Sequence, residues 1–171
     1  MSPDTASPSF VVWNRLLHEA PNAAVNLPGL QWRSMSIDDR TRQTFDASLA
    51  RCNASPAFLD RFYAIFLASS PKVREKFAHT DFVRQKAALQ ASFGAMLAAS
   101  RDEPAGPRQD LNDLAERHSS RQLNIGAELY DLWLDSLVAA VQECDPQYDG
   151  PVRDAWEEVM MVGIGYLLSR Y

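Results

Sequence analysis

The three histidines are the side chains of this 171-residue chain best suited to ligate a metal, and they lie in very different surroundings. His18 falls in a proline-rich N-terminal stretch, and His79 falls in a polar turn. His118 ends a predicted helix, and the residues three, four and seven positions before it are apolar, so it shares their face. An imidazole there is either a core or helix-end histidine satisfied by a hydrogen bond, or an axial ligand to a haem iron.

Other common catalytic patterns are missing from the chain. It contains no glycine-rich phosphate loop, no nucleophile elbow, no HExxH motif and no kinase set. Cys52 and Cys144 have neither metal-ligand nor redox spacing. We expect two buried free thiols, with a single disulfide as the alternative.

Composition limits the classes of partner. The chain is 46% hydrophobic, which allows one sizeable core, and its net charge of −5 gives no broad attraction for nucleic acid. The longest apolar run, residues 159–168, is about half the roughly 20 residues that a membrane helix needs. No secretory signal is visible at the start. We therefore expect a cytoplasmic protein that binds neither nucleic acid nor membrane.

The apolar period is close to 3.6 throughout, and no segment alternates at period two, which predicts an all-α fold. A capping residue before proline marks helix starts at Ser55-Pro56, Ser70-Pro71 and Gly150-Pro151, and residues 101–107 are predicted as a loop. We assign residues 1–35 to an N-terminal extension and residues 36–171 to one domain. The predicted helices span 10–18, 37–51, 56–69, 71–77, 81–99, 109–118, 125–143 and 151–170.

Several segments, in order, resemble the helices of bacterial globins. Phe58–Phe66, Ser70–Phe77 and Thr80–Leu89 resemble the B, C and E helices, and Leu114–His118 resembles the F helix. The similarity continues through Tyr130–Trp133 and Ala155-Trp156 to the end of the chain. It is greatest to single-domain globins and to the globin domains of flavohaemoglobins and globin-coupled sensors. This resemblance implies a three-on-three helical sandwich around a haem, held non-covalently as haem b because no Cys-x-x-Cys-His motif occurs.

The resemblance also implies a role for particular residues. His118 corresponds to the proximal iron ligand, Tyr63 and Gln85 to distal hydrogen-bond donors, and Phe77 to the aromatic that packs on the porphyrin. Leu89 corresponds to the apolar wall over the iron, and Tyr130 to a proximal tyrosine. Taken singly, Tyr63 and Phe77 also fit ordinary core positions, and Gln85 fits an exposed helix position. Trp133 fits either the proximal wall or the core.

The implied function is reversible binding of O2, CO and NO at a five-coordinate ferrous haem. The alternatives are a nitric oxide dioxygenase that works with a separate electron-donor reductase, a haem-based gas-sensor module, and a globin-like fold that has lost haem. Flavohaemoglobins carry a glutamate where Tyr171 aligns, and their link to the position of Tyr130 is shorter. The extension either packs across the fold, forms an interface such as that of a homodimer, or is a mobile tail.

Overall fold

A computed structural model of the protein describes residues 37–100 and 106–171, and these form helices joined by short connections, with no strand in either range. The predicted helix 10–18 lies outside the described residues. The other predicted helices are confirmed, with small changes at their ends. They are α1 (Asp39–Ala54), α2 (Phe58–Ser69), α3 (Pro71–Lys76), α4 (Phe82–Ala99), α5 (Gly106–His118), α6 (Ala127–Cys144) and α7 (Gly150–Leu168).

Two of the three predicted proline starts need correction. The Ser70 hydroxyl accepts the backbone N–H of Lys72 at 3.2 Å and caps α3 as predicted. At Ser55 the prediction is wrong, because the Ser55 carbonyl accepts the backbone N–H of Phe58 and closes a turn before α2 begins. At α7 the cap is Asp149 rather than Gly150, since the Asp149 carboxylate accepts from the backbone N–H of Val152 at 2.9 Å.

The predicted loop over residues 101–107 is also too long at its end. Helix α5 begins at Gly106 and therefore includes Pro107. A proline in the first turn of a helix costs little, because the N–H that it lacks has no partner within the helix there.

The helices pack as the three-on-three sandwich that the resemblance implies. Helix α2 packs most extensively against α6, and α1 packs against α7. Helix α4 packs on α5 and α7, while α5 and α6 also contact α7. Helix α7 is buried along most of its length, and α1, α4, α5 and α6 all pack against it.

Trp156 on α7 is the centre of an aromatic cluster. Its indole is fully buried and contacts the rings of Phe45, Phe58 and Phe93 at centroid distances of 4.7, 6.0 and 5.5 Å. The three partners lie on α1, α2 and α4. Edge-to-face contacts of this kind add to the gain from burial, so one side chain ties four helices together.

A buried polar network completes this cluster. The indole N–H of Trp156 donates to the Ser48 hydroxyl at 2.9 Å, and that hydroxyl donates to the Asp145 carboxylate at 2.5 Å. Arg51 donates two further hydrogen bonds to Asp145, at 2.6 and 2.8 Å. Burial raises the pKa of Asp145, but the hydrogen bonds from Arg51 and Ser48 outweigh it and hold that pKa below its ordinary value.

Both cysteines are free thiols, as predicted, although only Cys52 is fully buried and Cys144 is half-buried. Burial raises the pKa of Cys52 to about 12, which keeps this thiol protonated and unreactive. No helix within the two described ranges is long and apolar enough to cross a membrane.

We predict that Asp145→Asn lowers the free energy of unfolding by about 3 kcal/mol, because it breaks a bidentate pair whose carboxylate has no solvent exposure. A depressed pKa stabilises the fold above the ordinary carboxyl value of 3.8, and this stabilisation disappears as the pH falls below that value. Denaturant unfolding at neutral pH and near pH 3 measures both effects. The wild type should lose stability on acidification, and the variant should lose less.

Glu143→Gln provides the matched control. It removes a similar bidentate pair, with Arg61, in which both side chains are nearly half exposed, so its effect should be small. Equal losses for the two variants would contradict the importance of burial at Asp145.

Candidate functional site

One largely apolar cavity lies between the helices, with an empty volume of about 810 Å³ that includes its opening to solvent. Side chains from α2, α3, α4, α5, α6 and α7 line it, and most of them are aromatic or aliphatic. All six residues singled out from the sequence lie on its wall, namely Tyr63, Phe77, Gln85, Leu89, His118 and Tyr130.

His118 is the last residue of α5, and its ring orientation is fixed by its own helix. Nδ1 lies 2.8 Å from the carbonyl oxygen of Leu114, one turn earlier. A carbonyl only accepts, so Nδ1 carries the proton and Nε2 keeps its lone pair. Burial lowers the pKa of His118, and the hydrogen bond to Leu114 only partly offsets this effect. The imidazole is therefore uncharged at neutral pH and can bind a metal through Nε2.

The ring of Tyr130 lies beside this imidazole, with a centroid distance of 6.3 Å and an interplanar angle of 28°. Burial raises the pKa of Tyr130, so its hydroxyl stays protonated. Tyr171, which the resemblance to flavohaemoglobins suggested at the position of their glutamate, donates its hydroxyl to the Asn124 side chain. The acceptor at Nδ1 of His118 is the neutral Leu114 carbonyl.

Tyr63 and Gln85 bring hydrogen-bonding groups into the cavity from two different helices. Tyr63 on α2 is only 4% exposed, and its ring packs against Phe62 and Phe82 at 4.8 and 5.2 Å. Burial raises the pKa of Tyr63 to about 12, against a smaller opposing effect of the nearby Gln85 side chain. Gln85 on α4 is half-buried, so it is not the exposed helix residue that its position alone also allowed.

Phe77 and Leu89 complete the apolar part of the wall. The half-buried ring of Phe77 packs against Phe66 at 5.7 Å and Phe82 at 6.3 Å, and Leu89 is 7% exposed. Trp133 combines its two expected positions, since it lines the cavity and contacts the Phe62 ring at 6.0 Å.

Sequence reasoning missed several residues of the wall. Met96 is a buried apolar residue of α4, and its type and spacing do not tell a cavity wall from a packed core. Lys76 lies in a charged stretch, Ser70–Phe77, where a solvated side chain is the usual expectation. The other missed residues are Phe66, Val73, Ala88, Ser92, Leu114, Ile125, Leu129, Ile164 and Leu167.

The profile of the Globin family matches residues 60–166. The chain belongs to the globin family. Among solved structures, this globin is similar to protein PA3967 from Pseudomonas aeruginosa, which is described as structurally highly homologous to a human hemoglobin. The two share 43% identity with a TM-score of 0.72, over 77% of this chain and 98% of the other. Comparison with curated proteins gives no match.

Membership of the globin family implies a haem cofactor and gaseous ligands such as O2, and the cavity has the chemistry that a haem needs. Its wall is mainly apolar, as a porphyrin face requires. One imidazole enters it with Nδ1 satisfied by the Leu114 carbonyl and Nε2 free to bind iron.

Met96, on the cavity wall, packs closely against Gly163 of α7. A Cβ placed on Gly163 would lie 2.5 Å from Cγ of Met96 and 2.9 Å from its sulfur. Met96 lines the cavity, so Gly163 leaves the space that this side chain occupies.

We predict that Gly163→Ala pushes Met96 toward the cavity. The free energy of unfolding should fall by about 1–3 kcal/mol, the usual cost of overpacking, and haem uptake should decrease. Denaturant unfolding and the haem-to-protein ratio after reconstitution measure the two effects.

Gly94→Ala is the matched control at an exposed position of α4, where an added Cβ meets nothing within 4 Å. Alanine should stabilise this helix interior by roughly 0.5–1 kcal/mol. The interpretation of Gly163 fails if its variant gains stability and takes up haem like the wild type.

Proposed function

We propose that this globin reversibly binds O2, CO and NO at a five-coordinate b-type haem, with His118 as the iron ligand and Tyr63 and Gln85 as donors to the bound gas. The observation that carries this proposal is the arrangement of His118, whose Nε2 is left free in the same cavity as the two donors. The cofactor would lie within residues 36–171, with residues 1–35 as an extension.

His118 supplies one bond from the protein to the iron. When bound, a ferrous haem held by one imidazole supplies an open coordination position for a diatomic gas and transfers electron density to O2. Non-covalent binding as haem b is supported by the absence of Cys-x-x-Cys-His from the sequence.

Tyr63 and Gln85 supply the donors for a gas that gains negative charge. Because burial keeps the Tyr63 phenol protonated, it can donate to an anionic acceptor, and the Gln85 amide adds N–H donors. Both side chains line the same cavity as His118, so both can reach a gas bound there. A hydrogen bond to a charged acceptor is worth roughly 1.5–3 kcal/mol, so these donors favour slow release of O2.

We predict that His118→Ala abolishes the normal haem complex. The reduced wild type should bind CO with a sharp Soret band, whereas the variant should take up little haem or give a grossly altered spectrum. Absorption spectra of the ferric, dithionite-reduced and CO-bound forms measure this.

His79→Ala is the matched control, because His79 is exposed in the turn after α3. This variant should give wild-type spectra. Normal spectra from His118→Ala would remove His118 as the iron ligand.

We predict that Tyr63→Phe speeds O2 dissociation at least several-fold, and as much as about a hundredfold, because it removes one donor to a charged acceptor. CO gains little charge, so its dissociation rate should change far less. Stopped-flow ligand replacement measures both rates.

Tyr130→Phe removes a buried hydroxyl from the same cavity, beside His118 rather than Gln85, and should leave O2 release nearly unchanged. An unchanged O2 rate in Tyr63→Phe would make Tyr63 a core residue only.

A further inference from the structure

Lys76 is the one charged side chain among the described residues that line the cavity, apart from the titratable His118. It ends α3, immediately before Phe77, and it is exposed. A residue that both lines the cavity and reaches solvent lies where the cavity opens. Lys76 therefore lies at the mouth.

The ammonium of Lys76 bridges this mouth to the loop that follows His118. Nζ donates to the carbonyl oxygens of Leu123 at 2.6 Å and Asn124 at 3.3 Å. Asn124 has a φ of 50°, in the left-handed region that asparagine tolerates better than most residues. This turn aims two successive carbonyls at one cation.

The same loop is hydrogen-bonded to the backbone around His118. The backbone N–H groups of Leu123, Asn124 and Ile125 donate to the carbonyls of Arg117, Ser119 and His118, at 3.0, 2.9 and 3.1 Å respectively. These bonds satisfy carbonyls that the end of α5 leaves without a helical partner. Lys76 is thus connected to the backbone on both sides of His118 through two successive hydrogen bonds, one to the loop and one from the loop to α5.

We propose that Lys76 is a positioning residue that clasps residues 119–125 over the mouth of the cavity and slows loss of the haem. The inference rests on the proposed role of His118. A charged donor held by two carbonyls resists opening more than a neutral one. When the clasp opens, Ile125, which lines the cavity, is free to move away with the end of α5.

The test is Lys76→Met, which keeps the length of the side chain and removes its donors. Transfer of ferric haem to excess apomyoglobin measures haem loss, which should become roughly three- to tenfold faster. Hydrogen exchange of the haem-free protein should show faster exchange at the amides of Leu123, Asn124 and Ile125. Lys76→Arg keeps donors at this position, so haem loss and amide exchange should speed up less than in Lys76→Met.

Lys72→Met is the matched control. It removes the same charge one turn earlier on α3, where Nζ lies 3.8 Å from the Glu128 carboxylate and does not line the cavity. Haem loss and exchange in residues 119–125 should match the wild type.

The dimethyl ester of haem separates the clasp from direct pairing with the carboxylates of the cofactor. The clasp requires Lys76→Met to speed loss of the ester as much as loss of natural haem. Acceleration confined to natural haem would overturn it, as would wild-type haem loss and exchange in Lys76→Met. If the wild type takes up no haem, the proposed function fails, and exchange in the haem-free protein still decides whether Lys76 holds the loop.

Discussion

The hydrogen bond from Nδ1 of His118 to the carbonyl of Leu114 is the interaction on which the chemistry of this globin depends. It sets the tautomer, the ring orientation and the nitrogen that remains available to a metal. Because donor and acceptor lie one turn apart on α5, the local helix fixes this geometry. The rest of the fold then has to hold α5 against a cavity instead of a packed core.

Holding a cavity open removes contacts that would otherwise stabilise the fold. The aromatic cluster around Trp156 and the network through Ser48, Asp145 and Arg51 lie away from the cavity and join α1, α2, α4 and α7 tightly. Rigid packing on one side therefore supports a cavity on the other. Met96 lines the cavity and packs on Gly163 of α7, the helix that also carries Trp156.

The helices and the inward face of His118 could be predicted from the sequence, because helical periodicity and the spacing of His118 from its apolar neighbours are local properties. The other site residues were expected only from the resemblance to bacterial globins. Five of the predicted site residues line the cavity from their own helices, and Phe77 lines it from the position directly after α3. The clasp of Lys76 could not be predicted in this way, because its acceptors are backbone carbonyls 47 and 48 residues away. The start of α2 was misplaced for a similar reason: a backbone hydrogen bond from Phe58 to Ser55 makes a turn there, and side-chain types do not reveal it.

The acceptor at Nδ1 also bears on what this globin does with a bound gas. A carboxylate there would draw the proton away, make the imidazole more electron-rich and favour cleavage of an O–O bond, as an anionic axial ligand does. The Leu114 carbonyl is neutral, and the Tyr171 hydroxyl donates to the Asn124 side chain. If His118 binds the iron as proposed, this neutral acceptor polarises it only weakly, and the proposed donors Tyr63 and Gln85 line the same cavity. The proposed function therefore includes retention of O2 rather than peroxidase-like cleavage.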